Sequence, residues 1–340
     1  MVRTKKDHSA NASIEDVARL AGVSITTVSR VINNFSSVKE KNRGLVLDAI
    51  KELKFKPSIL AQRLATGKSN VIALVIPRYE GIFYSFYALE LIRGIGTLCE
   101  ALKLDLLLHL TDASSNFSLK GIEGVIFSDI IGNREQLESA FYLGIPCVVI
   151  NNYFEELKVS CIAIDNKKGA QDAVNYLIGL GHKKIAHITG DLITQAAAFR
   201  LEGYKQALKD HNLQARQDYI FKTDYSRGQA RQAAEKMIAM ADPPSAVFVA
   251  SDSMALEVMA VARELGKEIP NDLSIVGFDD NPQSLYGPVA LTTVRQPLIR
   301  MAEEGVKELN RMINSKDKTE IKRVILPTEL VVRESCRGQK

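Results

Sequence analysis

Between residues 13 and 33, apolar positions recur three and four apart, break at a glycine and then resume, in the run SIEDVARLAGVSITTVSRVIN. This spacing predicts two short helices joined by a tight turn. Ser13 and Asp16 stand in the S-x-x-D arrangement of a capping box, which satisfies the orphan amides of a helix start. Val17, Ala18, Leu20 and Ala21 then share one face of the first helix. The turn is Ala21-Gly22-Val23-Ser24, where Gly22 can take the positive φ of a sharp corner. Ser24 is placed to cap the second helix, with Val28, Val31 and Ile32 inward and Ile25, Thr26, Ser29 and Arg30 outward. A second spacing of this kind, Ser37 to Glu40, predicts another cap. Val46, Ala49, Ile50 and Leu53, at i, i+3, i+4 and i+7, predict a third helix covering the first two. The result is a small all-α helix-turn-helix head, ended by Lys56-Pro57.

From residue 70 onward the pattern changes to short apolar runs separated by amphipathic stretches. The runs predict strands at 71–76, 104–110, 124–127, 147–150, 161–164, 184–188, 246–250, 274–278 and 324–326. Helices are predicted near 133–143, 167–180, 200–211, 226–241, 253–265 and 298–313. Such alternation implies an α/β body with parallel sheets and right-handed crossovers, and so many strands suggest two sheets. Ligands of open parallel sheets bind beyond the carboxyl ends of the strands. Those ends carry an aromatic cluster from Arg78 to Tyr87, then Asn151 and Asn152, Ser251 and Asp252, and Asp279, Asp280 and Asn281. Amides and carboxylates beside aromatic rings suit a small polyhydroxylated ligand. Helix capping is the competing reading for Ser251, Asp252 and Asp280.

Charge divides at the same boundary. Residues 1–68 hold 13 Lys or Arg against 6 Asp or Glu, whereas residues 69–340 hold 31 against 34. A basic head on a near-neutral body points to polyanion contact confined to one end. The outward side chains of the second helix fit that contact, being short or fork-shaped at a helix start, as reading base edges in a major groove requires. A solvated helical hairpin is the plainer alternative.

Enzyme classes find little support. There is no G-x-x-x-x-G-K-[ST] loop, and Gly94-Ile95-Gly96 and Gly179-Leu180-Gly181 lack a third glycine. No serine sits in G-x-S-x-G, and the histidines at 8, 109, 182, 187 and 211 lack metal-ligand spacing. No cofactor, metal or catalytic residue is therefore expected. Cys99, Cys147, Cys161 and Cys336 form no C-x-x-C pair and are expected to be reduced. The polar, basic N-terminus is unlike a secretory signal, and VIALVI and CVVI are far too short to span a bilayer. A cytoplasmic protein without membrane contact is the expectation. An exported solute-binding module is the alternative from another class.

The run IEDVARLAGVSITTVSRVIN, followed by VKEKNRGLVLDAIKELKFKPSILAQRLATGKSNVIALVIP, resembles the LacI/GalR transcription regulators. The resemblance continues through IPCVVINN, IDNKKGAQDAVNYLIGLGHKKIAHITGD, FRLEGYKQAL, SDSMAL, IPNDLSIVGFDD, LTTVRQP and ILPTELVVRESC, with residues 1–11, 78–92 and 111–123 fitting poorly. It implies a DNA-binding head at 12–57, a hinge helix at 58–68 and a ligand-binding and dimerisation body at 69–340. The body would comprise two Rossmann-like, periplasmic-binding-protein-like lobes joined by three crossings. One lobe would span 69–164 and 297–325, the other 165–296 and 326–340.

A homodimeric repressor of a palindromic operator, controlled by a small effector, follows from the resemblance. The expected DNA contacts are Ser24, Ile25, Thr26, Thr27, Ser29, Arg30 and Asn33, with Ala61 and Leu64 of the hinge. Leu64 would be a minor-groove wedge. The expected ligand contacts are Arg200, Asp279, Tyr225, Asn151 and Ser251, with Phe86 and Tyr87 from the aromatic cluster. Asn151 stands where many members have Asp, and Ala196 where several carry a hydroxyl. A saccharide is the first choice of effector and a nucleoside or purine the second. Between Thr111 and Gly124 the chain is short, leaving little room for the family's second helix.

Overall fold

Ser13 accepts the Asp16 amide while the Asp16 carboxylate accepts the Ser13 amide, so the predicted capping box starts the first helix. This helix, α1 (Ile14–Ala21), ends where Gly22 turns left-handed at φ 63°. Ser24 caps α2 (Ile25–Ile32) by accepting from the Thr27 amide at 3.2 Å. The third helix, α3 (Glu40–Glu52), departs from expectation. Its N-cap is Lys39 and no side chain caps it, so Ser37-x-x-Glu40 is not a capping box. Val17, Ala18, Ala21, Val28, Val31, Val46 and Ala49 form the small core of this head. Leu20, expected to face inward, is exposed instead.

The computed structural model describes residues 12–33, 35–55, 68–78, 82–112, 118–153, 157–315 and 320–339. The chain divides into two units between Asn70 and Val71, each taken by itself below. The hinge proposed at 58–68, including Ala61 and Leu64, lies outside the described residues except for Lys68.

The body holds two six-stranded sheets. The first has the strands β1 (Val71–Pro77), β2 (Asp105–Thr111), β3 (Gly124–Phe127), β4 (Cys147–Ile150), β5 (Ser160–Ile164) and β11 (Arg323–Leu326). They run in the order β11-β5-β4-β3-β1-β2, and every pairing is parallel. The second has β6 (Ile185–Ile188), β7 (Ile220–Phe221), β8 (Ala246–Val249), β9 (Ser274–Asp279), β10 (Thr292–Arg295) and β12 (Glu329–Val331). Their order is β12-β10-β9-β8-β6-β7, with β12 antiparallel on the edge. The chain thus crosses between sheets after β5, after β10 and after β11.

Helices α4 (Phe86–Leu102), α5 (Arg134–Tyr142), α6 (Asn166–Gly179), α7 (Gln195–Asp210), α8 (Arg227–Ile238), α9 (Asp252–Glu264) and α10 (Leu298–Asn314) cover the sheets. The central strands β3, β4, β6 and β8 are buried along their whole length, as parallel strands covered on both faces must be. No helix is present among the described residues between β2 and β3. Consistent with that gap, β2 is exposed at Leu107 and Leu108.

Candidate functional site

On the head, α2 exposes Ser24, Ile25, Thr26 and Arg30, while Val28 and Val31 turn to the core. Thr27, Ser29 and Asn33 are half-buried. The Ser24 and Thr27 hydroxyls share a hydrogen bond at 2.9 Å, and Asn33 Nδ2 donates to the Ser29 carbonyl at 2.9 Å. The freest outward groups are thus Ile25, nearly half exposed, and the cationic Arg30 one turn later.

In the body, strand ends from both sheets converge on Arg200. This arginine lies on α7 and is 3% exposed. Its Nε donates to Asn166 Oδ1 at 2.8 Å and its Nη1 to the Ala250 carbonyl at 2.6 Å. The guanidinium carbon sits 3.7 Å above the Phe278 ring. A surface salt-bridge role is therefore excluded, since the group is buried.

Asp279 ends β9 with φ 135°, and its Oδ1 accepts from Gln296 Nε2 at 2.6 Å. Burial lifts its pKa to about 6, against the opposing charge of Arg200. Next to it, Asp252 is fully buried and accepts the Asn281 amide at 2.8 Å and the Thr293 hydroxyl at 2.5 Å. Burial, followed by the Asp279 charge, pushes Asp252 up to about 8. Its two accepted hydrogen bonds make it an internal strut between α9 and β10. Asp280 is taken by Arg295 at 2.6 Å and Arg333 at 2.5 Å. Neither aspartate is a simple helix cap. Ser251 does cap α9, accepting from the Met254 amide at 3.3 Å.

Tyr225 holds φ 68°, and its phenol lies near the Thr194 side chain. Its ring lies against Gly190, where a Cβ would come within 1.9 Å of it. Only glycine fits beneath this ring. Burial raises the phenol's pKa, and the charges of Arg200, Asp279 and Asp129 all act on it.

Asn151 follows β4 at φ 66° and is 7% exposed, its Oδ1 buried with no partner. Its side chain lies beside Asp129, just past the end of β3, and favours the ionised form of that carboxyl. Asn152 Nδ2 and the Ile130 amide also donate to Asp129. Burial lifts Asp129 to about 6, and Arg200 pulls the other way. Asp129 is not in the expected set, although Ser128-Asp129 directly follow GVIF and the strand-end rule covers that position too.

The aromatic cluster contributes unevenly. Tyr87 donates its hydroxyl to the Ser128 carbonyl at 2.6 Å, beside Asp129. Phe86 packs half-buried on the core of the first lobe, whereas Phe83 and Tyr84 are exposed. Across the two lobes, the Tyr153 amide donates to Gln195 Oε1 at 3.0 Å, and Gln195 Nε2 donates back to the Tyr153 carbonyl at 3.0 Å. The Tyr153 ring also stacks on Phe199 at 5.8 Å. Arg200, Asp279, Tyr225 and Asp129 thus form one desolvated polar group, closed by a direct contact between lobes. No His, Cys, Asp and Glu cluster suited to a metal occurs among the described residues. None of the described helices is long and apolar enough to cross a membrane.

Residues 13–58 match the family of bacterial regulatory proteins of the lacI type, and residues 174–336 match a periplasmic binding protein-like domain. Catabolite control protein A of Priestia megaterium is 33% identical, the alignment covering 96% of this chain and 100% of that protein. The transcriptional repressor PurR of Vibrio vulnificus is also 33% identical, over 96% of this chain and 99% of its own. Among solved structures, a complex of the transcriptional regulator CelR with cellobiose superposes at a TM-score of 0.72, with 29% identity over 95% of this chain and 99% of that one. The lac repressor dimer bound to operator shares the fold at a TM-score of 0.83, covering 96% of this chain and 99% of its own at 24% identity. With a helix-turn-helix head and a two-lobed α/β body along one continuous alignment, the chain belongs to the LacI family of bacterial transcriptional regulators.

Proposed function

We propose that this protein is a cytoplasmic, homodimeric repressor whose operator binding is controlled by a small polyhydroxylated molecule held between the two lobes. The observation that carries this reading is the convergence of Arg200, Asp279, Tyr225 and Asp129 from both sheets on one desolvated space. Buried charges of this kind need hydrogen-bonding partners, and a polyol supplies both donors and acceptors. Tyr225 offers a ring to the apolar face of a sugar. The cellobiose bound by CelR supports a saccharide. A nucleoside or purine is the second reading, because Ala196 removes a polar group that a base would use.

On the head, Ile25, Thr26 and Arg30 supply base contacts in a major groove. Ser24, Thr27, Ser29 and Asn33 position the helix, and Ala61 and Leu64 enter the minor groove at the operator centre. Each subunit reads half of a palindrome. Leu89 and Leu102 of α4, with Leu107 and Leu108 of β2, expose apolar side chains that a second copy would cover.

A thermal-shift screen of sugars and nucleosides tests the cleft. At least one compound should raise the melting temperature by mass action. Asp279→Ala should weaken that compound about ten- to a hundred-fold, since hydrogen bonds to charged groups are worth about 1.5–3 kcal/mol. An Asp279→Ala response equal to that of the unaltered protein would show that the ligand binds elsewhere.

A further inference from the structure

The polar atoms of the cleft are unevenly matched. Two ionisable carboxylates, Asp129 and Asp279, face one guanidinium, and Arg200 is the cation whose charge acts on both. That guanidinium has already given Nε to Asn166 and Nη1 to Ala250. Asp280, the neighbouring carboxylate, is satisfied separately by Arg295 and Arg333.

Beside each of the two cleft carboxylates stands a primary amide. Gln296 bonds Asp279 through Nε2, and Asn151 lies beside Asp129 and favours its ionised form. A carboxylate accepts only from the NH2 side of an amide, so the Gln296 carbonyl oxygen turns away from Asp279. Both oxygens, Asn151 Oδ1 and Gln296 Oε1, are buried without a partner, on residues 7% and 6% exposed. Unpaired buried acceptors are costly, and they recur here on both sides of the same space. The cleft thus holds two unpaired buried acceptors and more carboxylates than cations.

Resting on the reading of this cleft as the effector site, we infer that it takes a cationic, hydroxyl-bearing ligand, an amino sugar, in preference to a neutral saccharide. A protonated amine brings three donors and one positive charge to a site holding two carboxylates, two unpaired carbonyl oxygens and one cation. Hydroxyls of a neutral sugar supply donors but leave the excess negative charge buried. The raised pKa values of both carboxylates, about 6, have the same physical origin and fall back when a cation arrives. The charged and titratable groups facing the carboxylates are Arg200 on α7, Tyr225 before α8 and Asp252 on α9.

The test uses the full chain with 2-amino-2-deoxyglucose and 2-amino-2-deoxygalactose, each beside its parent hexose and its N-acetyl derivative, in thermal shift and calorimetry. At least one amine should bind about ten- to a hundred-fold more tightly than both uncharged counterparts, as expected for a hydrogen bond between charged groups. Its affinity should rise with pH as the two carboxylates ionise and fall again when the amine loses its proton. Asp129→Asn, close to the native side chain in shape, should remove most of the preference while retaining the fold by circular dichroism.

The inference is overturned by a neutral sugar that binds as well as its amine, by a preference that survives Asp129→Asn, or by failure of every amine to bind. A neutral compound whose binding is weakened by Asp279→Asn would overturn the amine while leaving the cleft reading intact. An amine indifferent to both Asp129→Asn and Asp279→Asn would show that the cleft itself has been misplaced.

Discussion

A tyrosine at positive φ is strained, and Tyr225 holds that conformation where its ring rests on Gly190. Asn151, Asp279 and Asp280 share the positive-φ region, so with Tyr225 the cleft holds four of the eight such non-glycine residues described. Gly190→Ala should therefore push the ring aside. A loss of about 1–3 kcal/mol of stability is expected, as for other overpacked sites, measured by denaturant unfolding, together with weaker effector binding. A second prediction concerns protons. Asp129 and Asp279 carry folded-state pKa values of about 6, above the ordinary carboxylate value of 3.8. The folded state then holds more protons than the unfolded state between those limits, so stability declines as pH rises through that window. Asp129→Asn removes one such group, and its melting temperature relative to the unaltered protein should climb from about pH 4 to 6 and then level off. A constant difference across that range would contradict the buried state of Asp129. Asp279, Arg200 and Tyr225 were legible as single residues because they stand in distinctive local patterns. The buried amide oxygens of Asn151 and Gln296 were not, because pairing across tens of residues leaves no local trace.

At the scale of elements, α2 is the most readable part of the chain. Its apolar face, its serine cap and the glycine before it each specify the same short helix. Arg30 is exposed opposite Val28 and Val31 and belongs to the readout surface. Arg30→Ala should cost about 1–3 kcal/mol on the operator while sparing random DNA, measured by fluorescence anisotropy at one salt concentration. Equal losses on both would make it a phosphate contact. Elsewhere the hydrophobic pattern located the strands buried on both faces, whose apolar runs are continuous. It missed β7, of only two residues, as well as β10 and β12. Thr292 and Thr293 are buried through hydrogen bonds with Ser335, Asp252 and Arg333, so their burial carries no apolar signal, and β12 has only three residues. The second cap failed because Lys39, not Ser37, precedes α3. The reciprocal Tyr153–Gln195 contact holds the lobes together in this structure. Gln195→Ala should favour a more open body, seen as a larger radius of gyration in solution scattering and weaker effector binding.

For the molecule as a whole, the chain crosses three times between its lobes, so a closing motion that tightens on a ligand displaces all three crossings together. The family relationship places a DNA-binding head on the same chain as this body. Two sites linked through one conformational equilibrium must influence each other equally, whichever is filled first. The most direct measurement is operator affinity with and without the compound that stabilises the protein in the thermal screen, in the unaltered protein and in Asp279→Asn, alongside ligand affinity with and without operator. The compound should change operator affinity in the unaltered protein, operator should change ligand affinity by the same factor, and both changes should vanish in Asp279→Asn at the same ligand concentration. Operator binding that is indifferent to a compound bound in the cleft would contradict control of the head by this site.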